Sequence, residues 1–388
     1  MRVLHLVDQK NGQGCPTLFE LLNMPQARLA DIQQRSLLLG GETIDQLARD
    51  AGLEDYQRMG VPYGSGPWAA TSIRRRCLAL GPVDLLHCWS VGALTVGAMT
   101  LPRTQKILTL TSQPSAKAIK WLRMISKREH RETPTIFLTI SSTIRRELLA
   151  GGIAPERVHV LRPGIDRSKI SEHSRKSKRQ AWGVDENTRV IGLAADPLLA
   201  MDIINPVWIT ALAGHSDEAS GRTYAMVLHP ENKQLPRAEK ILSQACPNGK
   251  LILDEDADKP WAIYPACDMI FGLGQGCGLS ILWAMASNRI IAGEATYGIS
   301  EMLEDRHSAI LAAPGARTEM AHKIIDLFDD EQQAYALRDT AHHEAYSYFS
   351  RSRYCQQLKD VYQQLHDGQA VNVPEIEATG GLKFAGMV

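Results

Sequence analysis

Short apolar runs recur along this chain at intervals that leave room for one helix between neighbours. In the first half they fall at 3–7, 36–39, 84–87, 106–110, 136–140 and 158–161, and in the second at 190–193, 224–228, 251–253, 269–271, 290–292 and 310–312. Near-continuous apolar runs of this length suit strands covered on both faces, as in parallel sheets flanked by helices. Helical stretches fill the gaps. Ser141 and Ser142 offer capping hydroxyls before TIRRELLA, which Gly151 and Gly152 stop, and 236–244 and 279–286 read as further helices. The rhythm halts at about 167–188 and then restarts. The expected fold class is therefore α/β, with two doubly wound, Rossmann-like domains facing a cleft.

The interruption is polar and charged, RSKISEHSRKSKRQAWGVDENT, and reads as a connection with a short helix near 176–182 and basic residues on a solvated face. Near the end, Tyr354, Leu358, Val361, Tyr362 and Leu365 repeat at helical spacing, so one apolar face must find a partner. Residues 367–388 have no clear period and read as an irregular tail.

With 388 residues the chain can hold two cores. Lys and Arg number 43, as do Asp and Glu, so no overall field gathers nucleic acid, and a nucleic-acid partner is not expected. The seven cysteines include no CxxC pair, which fits reduced, buried thiols. The run VLHLV is too short for a signal-peptide core, and no stretch nears the roughly 18 apolar residues that span a bilayer. The expectation is a cytoplasmic protein with at most peripheral membrane contact.

The densest chemical signal is DMIFGLGQGCGLSILWAMASNRIIAGEATYGISEML, residues 268–303. A strand gives way to Gly272, Gly274, Gly276 and Gly278, and Leu279, Leu282, Trp283 and Ala286 then mark the inner face of a helix. Small residues admit a ligand close to the backbone, and the unpaired N–H groups of a first helical turn can hold a phosphate. A tight packing turn would use the same glycines. HExxH, P-loop, cysteine-rich metal and GxSxG patterns are all absent, so no metal is expected. His87 ends a strand, where it either faces a cleft or is satisfied structurally. Asp84 and Asp166 suit turns or caps, the latter beside Pro163 and Gly164.

The sequence resembles the retaining, nucleotide-sugar-dependent glycosyltransferases of family 4, which have the GT-B fold. MRVLHLV with NGQGC, DLLHCWS, SSTIRRELLAGGIAPERVHVLRPGID, the 264–315 stretch and the closing YFSRSRYCQQLKDVYQQL carry the resemblance. It implies an acceptor-side domain at 1–168, a connection at 169–188, a nucleotide-sugar domain at 189–345, a helix at 346–366 that can cross back, and a tail at 367–388. It also implies donor contacts at Gln275, Gly276, Cys277, Gly278, Leu279 and Glu301, with Gly12, Gly14 and His87 as acceptor-side candidates. The donor would be a nucleotide diphosphate sugar, the acceptor a saccharide or other hydroxyl compound, and no cofactor would be required.

The departures bear on activity. Two acids eight positions apart frame the family's motif, and here Gln275 and Trp283 stand in their places. Gln275 keeps some hydrogen bonding but no charge; Trp283 keeps neither. Thr111 stands where the family has a histidine, and Asp196 near an expected arginine, with no lysine following between 197 and 201. Two functions stay open: a divergent transferase, or a non-catalytic relative that binds a saccharide, nucleotide or protein.

Overall fold

The computed structural model describes residues 1–8, 16–29, 31–40, 42–50, 52–53, 55–59, 67–129, 132–171, 174–194, 203–257, 259–273 and 279–374. Contacts divide the described residues into two compact units, one built from residues 1–164 together with 351–374, the other from Ile165–Ser350.

The first unit holds a seven-stranded sheet of β1 (Arg2–Asp8), β2 (Gln33–Leu39), β3 (Tyr56–Met59), β4 (Leu85–Cys88), β5 (Gln105–Leu110), β6 (Ile136–Thr139) and β7 (Val158–Val160). Its order is β3-β2-β1-β4-β5-β6-β7, and every pairing is parallel. Six helices are interleaved: α1 (Pro16–Arg28), α2 (Glu42–Asp50), α3 (Pro67–Ala79), α4 (Val91–Thr100), α5 (Ala116–Arg128) and α6 (Ser142–Ala150). Side chains alternate across the sheet, so β1 and β4 turn different residues to its two faces. Leu6, Leu86 and Cys88 meet α4 at Gly97, where an added Cβ would lie 2.5 Å from the Leu86 Cδ2. Glycine there lets the helix settle onto the strands.

Strand β3 was not among the expected runs. Its sequence, YQRM, is polar because it lies at the sheet's edge, where Tyr56 donates to Asp45 at 2.8 Å and Arg58 lies 3.7 Å from the same carboxylate. A charged edge discourages pairing with another chain.

The second unit repeats the plan with β8 (Thr188–Ala194), β9 (Thr223–Leu228), β10 (Lys250–Leu253), β11 (Met269–Gly272), β12 (Ile290–Glu294) and β13 (Ile310–Ala312). The order is β10-β9-β8-β11-β12-β13, again parallel throughout. Its helices are α7 (Ser174–Trp182), α8 (Ile204–Ser216), α9 (Leu235–Ala245), α10 (Pro260–Ile263), α11 (Leu279–Ala286), α12 (Tyr297–Ser300), α13 (Arg317–Asp329) and α14 (Glu331–Tyr348).

Helix α7 occupies the basic stretch, and its charges are not simply solvated. Arg175 and Arg179 donate to the two oxygens of Asp268 at 2.6 and 2.9 Å, and Asp268 also accepts from the Val190 N–H at 2.8 Å. Lys178 reaches Asp254 and Asp256, and the Trp182 indole donates to Asp254 at 2.7 Å. Composition alone suggested a solvated face because the carboxylates that pair with its basic residues lie 76 to 93 residues away.

Helix α15 (Arg351–His366) returns to the first unit and packs on α1. Its buried stripe is Tyr354, Cys355, Leu358, Val361 and Tyr362. Arg353 donates to the carbonyls of Arg162 and Pro163 at 2.7 and 2.8 Å, and Lys359 pairs with Asp31 at 2.6 Å. Where the chain enters and leaves the second unit, the Ile165 N–H donates to the Phe349 carbonyl at 2.9 Å.

Candidate functional site

In an open parallel sheet, ligands bind at the carboxyl ends of the strands where the order reverses direction. In the second sheet that point lies between β8 and β11. Their pairing ends with the Leu273 N–H donating to the Ala194 carbonyl at 2.9 Å. The chain then runs into 195–202 and 274–278, so Asp196, Gln275, Gly276, Cys277 and Gly278 lie outside the described residues.

The frame around that loop is described. Gly272, the last residue of β11, pairs in register with Gly293 of β12. A Cβ on Gly272 would come within 2.9 Å of the Ile281 Cδ1 and 3.2 Å of the Ile299 Cδ1. Gly272 is thus a packing glycine, letting α11 and α12 close over the strand ends. Leu279 opens α11, and all eight residues of that helix are buried. Trp283 is wholly enclosed, its ring 5.6 Å from that of Trp261. The position that resemblance assigns to an acid therefore holds a core aromatic.

Glu301 follows α12, half-buried, within the same unit. The carboxyl edge also carries a polar node that the sequence did not single out as a group. Glu294, ending β12, accepts from the Asn205 amide at 2.7 Å and from the Gly315 N–H at 3.0 Å. The Asn205 carbonyl in turn accepts from the Arg317 Nε at 2.5 Å. The node joins the first turns of α8 and α13 to the end of a strand and holds an exposed guanidinium there. Asn205 and Arg317 lie 112 residues apart, and no local pattern links them.

The first sheet reverses between β1 and β4. Gly12 and Gly14, beyond β1, lie outside the described residues. Asp8 ends β1, buried, and accepts from the Ser90 hydroxyl. Ser90 also caps α4, accepting from the Ala93 N–H at 2.9 Å. Asp8 directly follows the run VLHLV, and nothing in the sequence singled it out. Its position at the reversal makes it a further acceptor-side candidate.

His87 lies inside the first unit rather than at an open edge. Its Nδ1 is 2.7 Å from the Tyr362 hydroxyl and its Nε2 is 2.7 Å from the Thr109 hydroxyl, so both ring nitrogens are engaged. His5 sits beside it in register on β1, with ring centroids 5.3 Å apart. The Trp89 indole can only donate, and it does so to the His5 Nδ1 at 3.1 Å. His5 therefore carries its proton on Nε2, facing the Gln34 carbonyl oxygen at 3.1 Å, whose amide donates onward to the Pro25 carbonyl. Burial pushes His5 down to about 4 and holds His87 well below the ordinary histidine range, the neighbouring His5 adding to the effect.

This neutral pair makes the first unit sensitive to acid. Below pH 6.5 an unfolded chain takes up protons that the folded His5 refuses until about pH 4, so stability rises with pH across that window. His5 alone accounts for about 3 kcal/mol between its limits, from about 1.4 kcal/mol per pH unit. Urea denaturation between pH 7 and pH 4 should show the first unit's transition moving to lower urea as pH falls. His5→Gln should flatten that dependence.

Thr111 follows β5 half-buried, Asp84 accepts from the Arg2 N–H at 2.7 Å, and Asp166 caps a short turn by accepting from the Ser168 N–H at 3.2 Å. Among the described residues no group of His, Cys, Asp or Glu could hold a metal ion, and no helix is long and apolar enough to cross a membrane.

No family model and no curated protein sequence matches the chain. Solved structures do. Anabaena Alr3699/HepE in complex with UDP and glucose superposes with a TM-score of 0.75 at 17% identity, covering 94% of this chain and 100% of that one. Sucrose-phosphate synthase from Thermosynechococcus elongatus gives 0.70 at 12% identity, covering 95% and 100%. A putative UDP-N-acetylglucosamine 2-epimerase from Listeria monocytogenes gives 0.65 at 12% identity, covering 97% and 99%. At these identities the likeness is one of fold. With its two parallel, Rossmann-like sheets of seven and six strands, the chain has the GT-B fold.

Proposed function

We propose that this protein is a cytoplasmic glycosyltransferase that takes a sugar from a nucleotide diphosphate donor and passes it to a hydroxyl acceptor. The observation that carries this reading is the match, over 94% of the chain, to a protein solved with UDP-glucose bound. The donor belongs at the carboxyl edge of the second sheet, its phosphates on the backbone of residues 276–279 and its polar groups toward Gln275 and Glu301. The first domain takes the acceptor, near Gly12, Gly14 and Asp8.

In a retaining transfer the bond from the anomeric carbon to the donor phosphate breaks, and the acceptor oxygen bonds to the same face. The acceptor proton passes to the departing phosphate oxygen, so no protein base is required. The protein's part is positioning, together with stabilising the charge that collects on the leaving diphosphate. With neither Arg nor Lys at 196–201, Arg317 on its Asn205 tether is one cation that the second domain offers at this edge. No metal or cofactor is assigned.

Calorimetric titration with UDP-glucose and other nucleotide diphosphate sugars, followed by mass detection of products on saccharide acceptors, tests the reading. Binding is expected, and Glu301→Ala should weaken it about tenfold, the worth of one hydrogen bond to a charged group at about 1.5 kcal/mol. Absence of both heat and product from a folded sample, across all donors, would overturn it. A second reading, that of a non-catalytic binder, is favoured by Trp283, whose ring is enclosed against Trp261 where the resembling family has an acid. Binding without turnover would select it.

A further inference from the structure

The chain is electrically balanced as a whole, yet one stretch is not. Residues 67–128 contain ten Lys and Arg and a single acid, Asp84, so the remainder carries the compensating negative charge. Helices α3, α4 and α5 fall within this stretch and pack side by side in one layer of the first unit. The five basic residues of α5 lie at 117, 120, 123, 127 and 128, all exposed, and its thirteen residues include no acid. Helix α3 adds exposed Arg74, Arg75 and Arg76.

Large apolar side chains stand among these charges. Met99 on α4 is 59% exposed, Trp121 on α5 42% and Leu78 on α3 58%. Met99 and Trp121 line a cavity of about 900 Å³ between α4 and α5, together with Ala98, Met124 and Ile125. The indole does not swing free, since its N–H donates to the Thr95 hydroxyl at 2.8 Å. Arg103 and Arg128 also line the cavity, with Glu129, which pairs with Arg157 at 3.6 Å, and Glu132, and so does Lys106, buried and donating to the carbonyls of Pro102 and Thr104 at 3.0 and 2.7 Å.

From this juxtaposition we propose that the α3–α4–α5 face of the first domain docks on an anionic membrane surface, with Trp121 and Met99 entering the headgroup boundary. The chemistry discriminates among polyanions. Basic side chains alone suit any of them, but fixed aromatic and thioether groups projecting between the charges suit a surface that is anionic outside and apolar beneath. The compensating negative charge on the rest of the chain sets the orientation, because an anionic surface repels the remainder and attracts this face. The inference does not depend on sugar transfer.

Sedimentation of the full chain with vesicles of phosphatidylcholine alone, or with about one-third phosphatidylglycerol, reads it directly. Binding is expected on the anionic vesicles only, falling steeply between 50 and 500 mM salt as the charges are screened. Lys120→Glu with Arg123→Glu, both exposed, should weaken binding at least tenfold. Trp121→Ser with Met99→Ser should weaken it several-fold even at low salt, while thermal unfolding confirms that both variants fold. Equal binding to both vesicle types, full binding by the charge-reversal variant, or binding to heparin or RNA without binding to vesicles would each overturn the proposal.

Discussion

Tyr362→Ala is expected to destabilise the first domain by about 3–5 kcal/mol, the cost of truncating a large aromatic in a packed core. Tyr362 is fully buried on α15, its ring set edge-on to His87 with centroids 5.7 Å apart and its hydroxyl bonded to the His87 Nδ1. The substitution opens a void and also strands a buried ring nitrogen. Tyr362→Phe separates the two effects, since it keeps the ring and should cost only about 1–2 kcal/mol. Urea unfolding monitored by tryptophan emission reads both, with Trp89 stacked 4.5 Å from His87 as a local reporter. Equal losses in the two variants would show that the hydrogen bond, not the packing, dominates. Because domains are stable by only about 5–15 kcal/mol, the alanine variant should leave a measurable unfolded fraction of the first domain well below the midpoint of the wild-type protein.

The second large effect is expected at Asp268. Its carboxylate takes Arg175, Arg179 and the Val190 N–H, binding α7 to the start of β8. Asp268→Ala leaves two guanidinium groups beside each other with no counter-charge. Removing one partner of a fully buried pair costs about 3–5 kcal/mol, and Arg175, one-third exposed, recovers part of that from water. A loss of about 2–3 kcal/mol in the second domain's transition should result, with the first domain's unchanged. Hydrogen exchange should localise the opening to α7. A uniform loss across both domains would mean that the clamp serves more than its own unit.

Much of this fold was legible because its strands are buried on both faces. Runs such as 224–228 and 269–271 are free of charged residues and almost wholly apolar, and the structure has strands at each. The edge strand β3 escaped for the opposite reason, since Gln57 and Arg58 answer to solvent rather than to a core. Helix α11 was marked to its ends by glycine before it and a continuous apolar run within it. The site was less readable. Asn205, Glu294, Gly315 and Arg317 meet only because the connections after β8, β12 and β13 end on one edge of a sheet, and spacing along the chain carries no trace of that. His87 drew attention as a polar residue on an apolar strand, while its register neighbour His5 did not, although VLHLV and LLHC place the two rings alike. The cleft-facing and structurally satisfied readings of His87 separate only once Thr109 and Tyr362 are seen on its two nitrogens.

The return of α15 to the first unit reverses the usual order of manufacture. Domains generally complete themselves from the N-terminus as the chain is synthesised. Here the second domain is contiguous in sequence and can close first, whereas the first domain waits for residues 351–366. Until those residues leave the ribosome, the sheet face bearing His5 and His87 lacks the helix that covers it, so the core of the amino-terminal half stays open throughout most of translation. A chain that stops short of Arg351 would lack more than a tail: it would leave its earliest-made domain permanently unfinished.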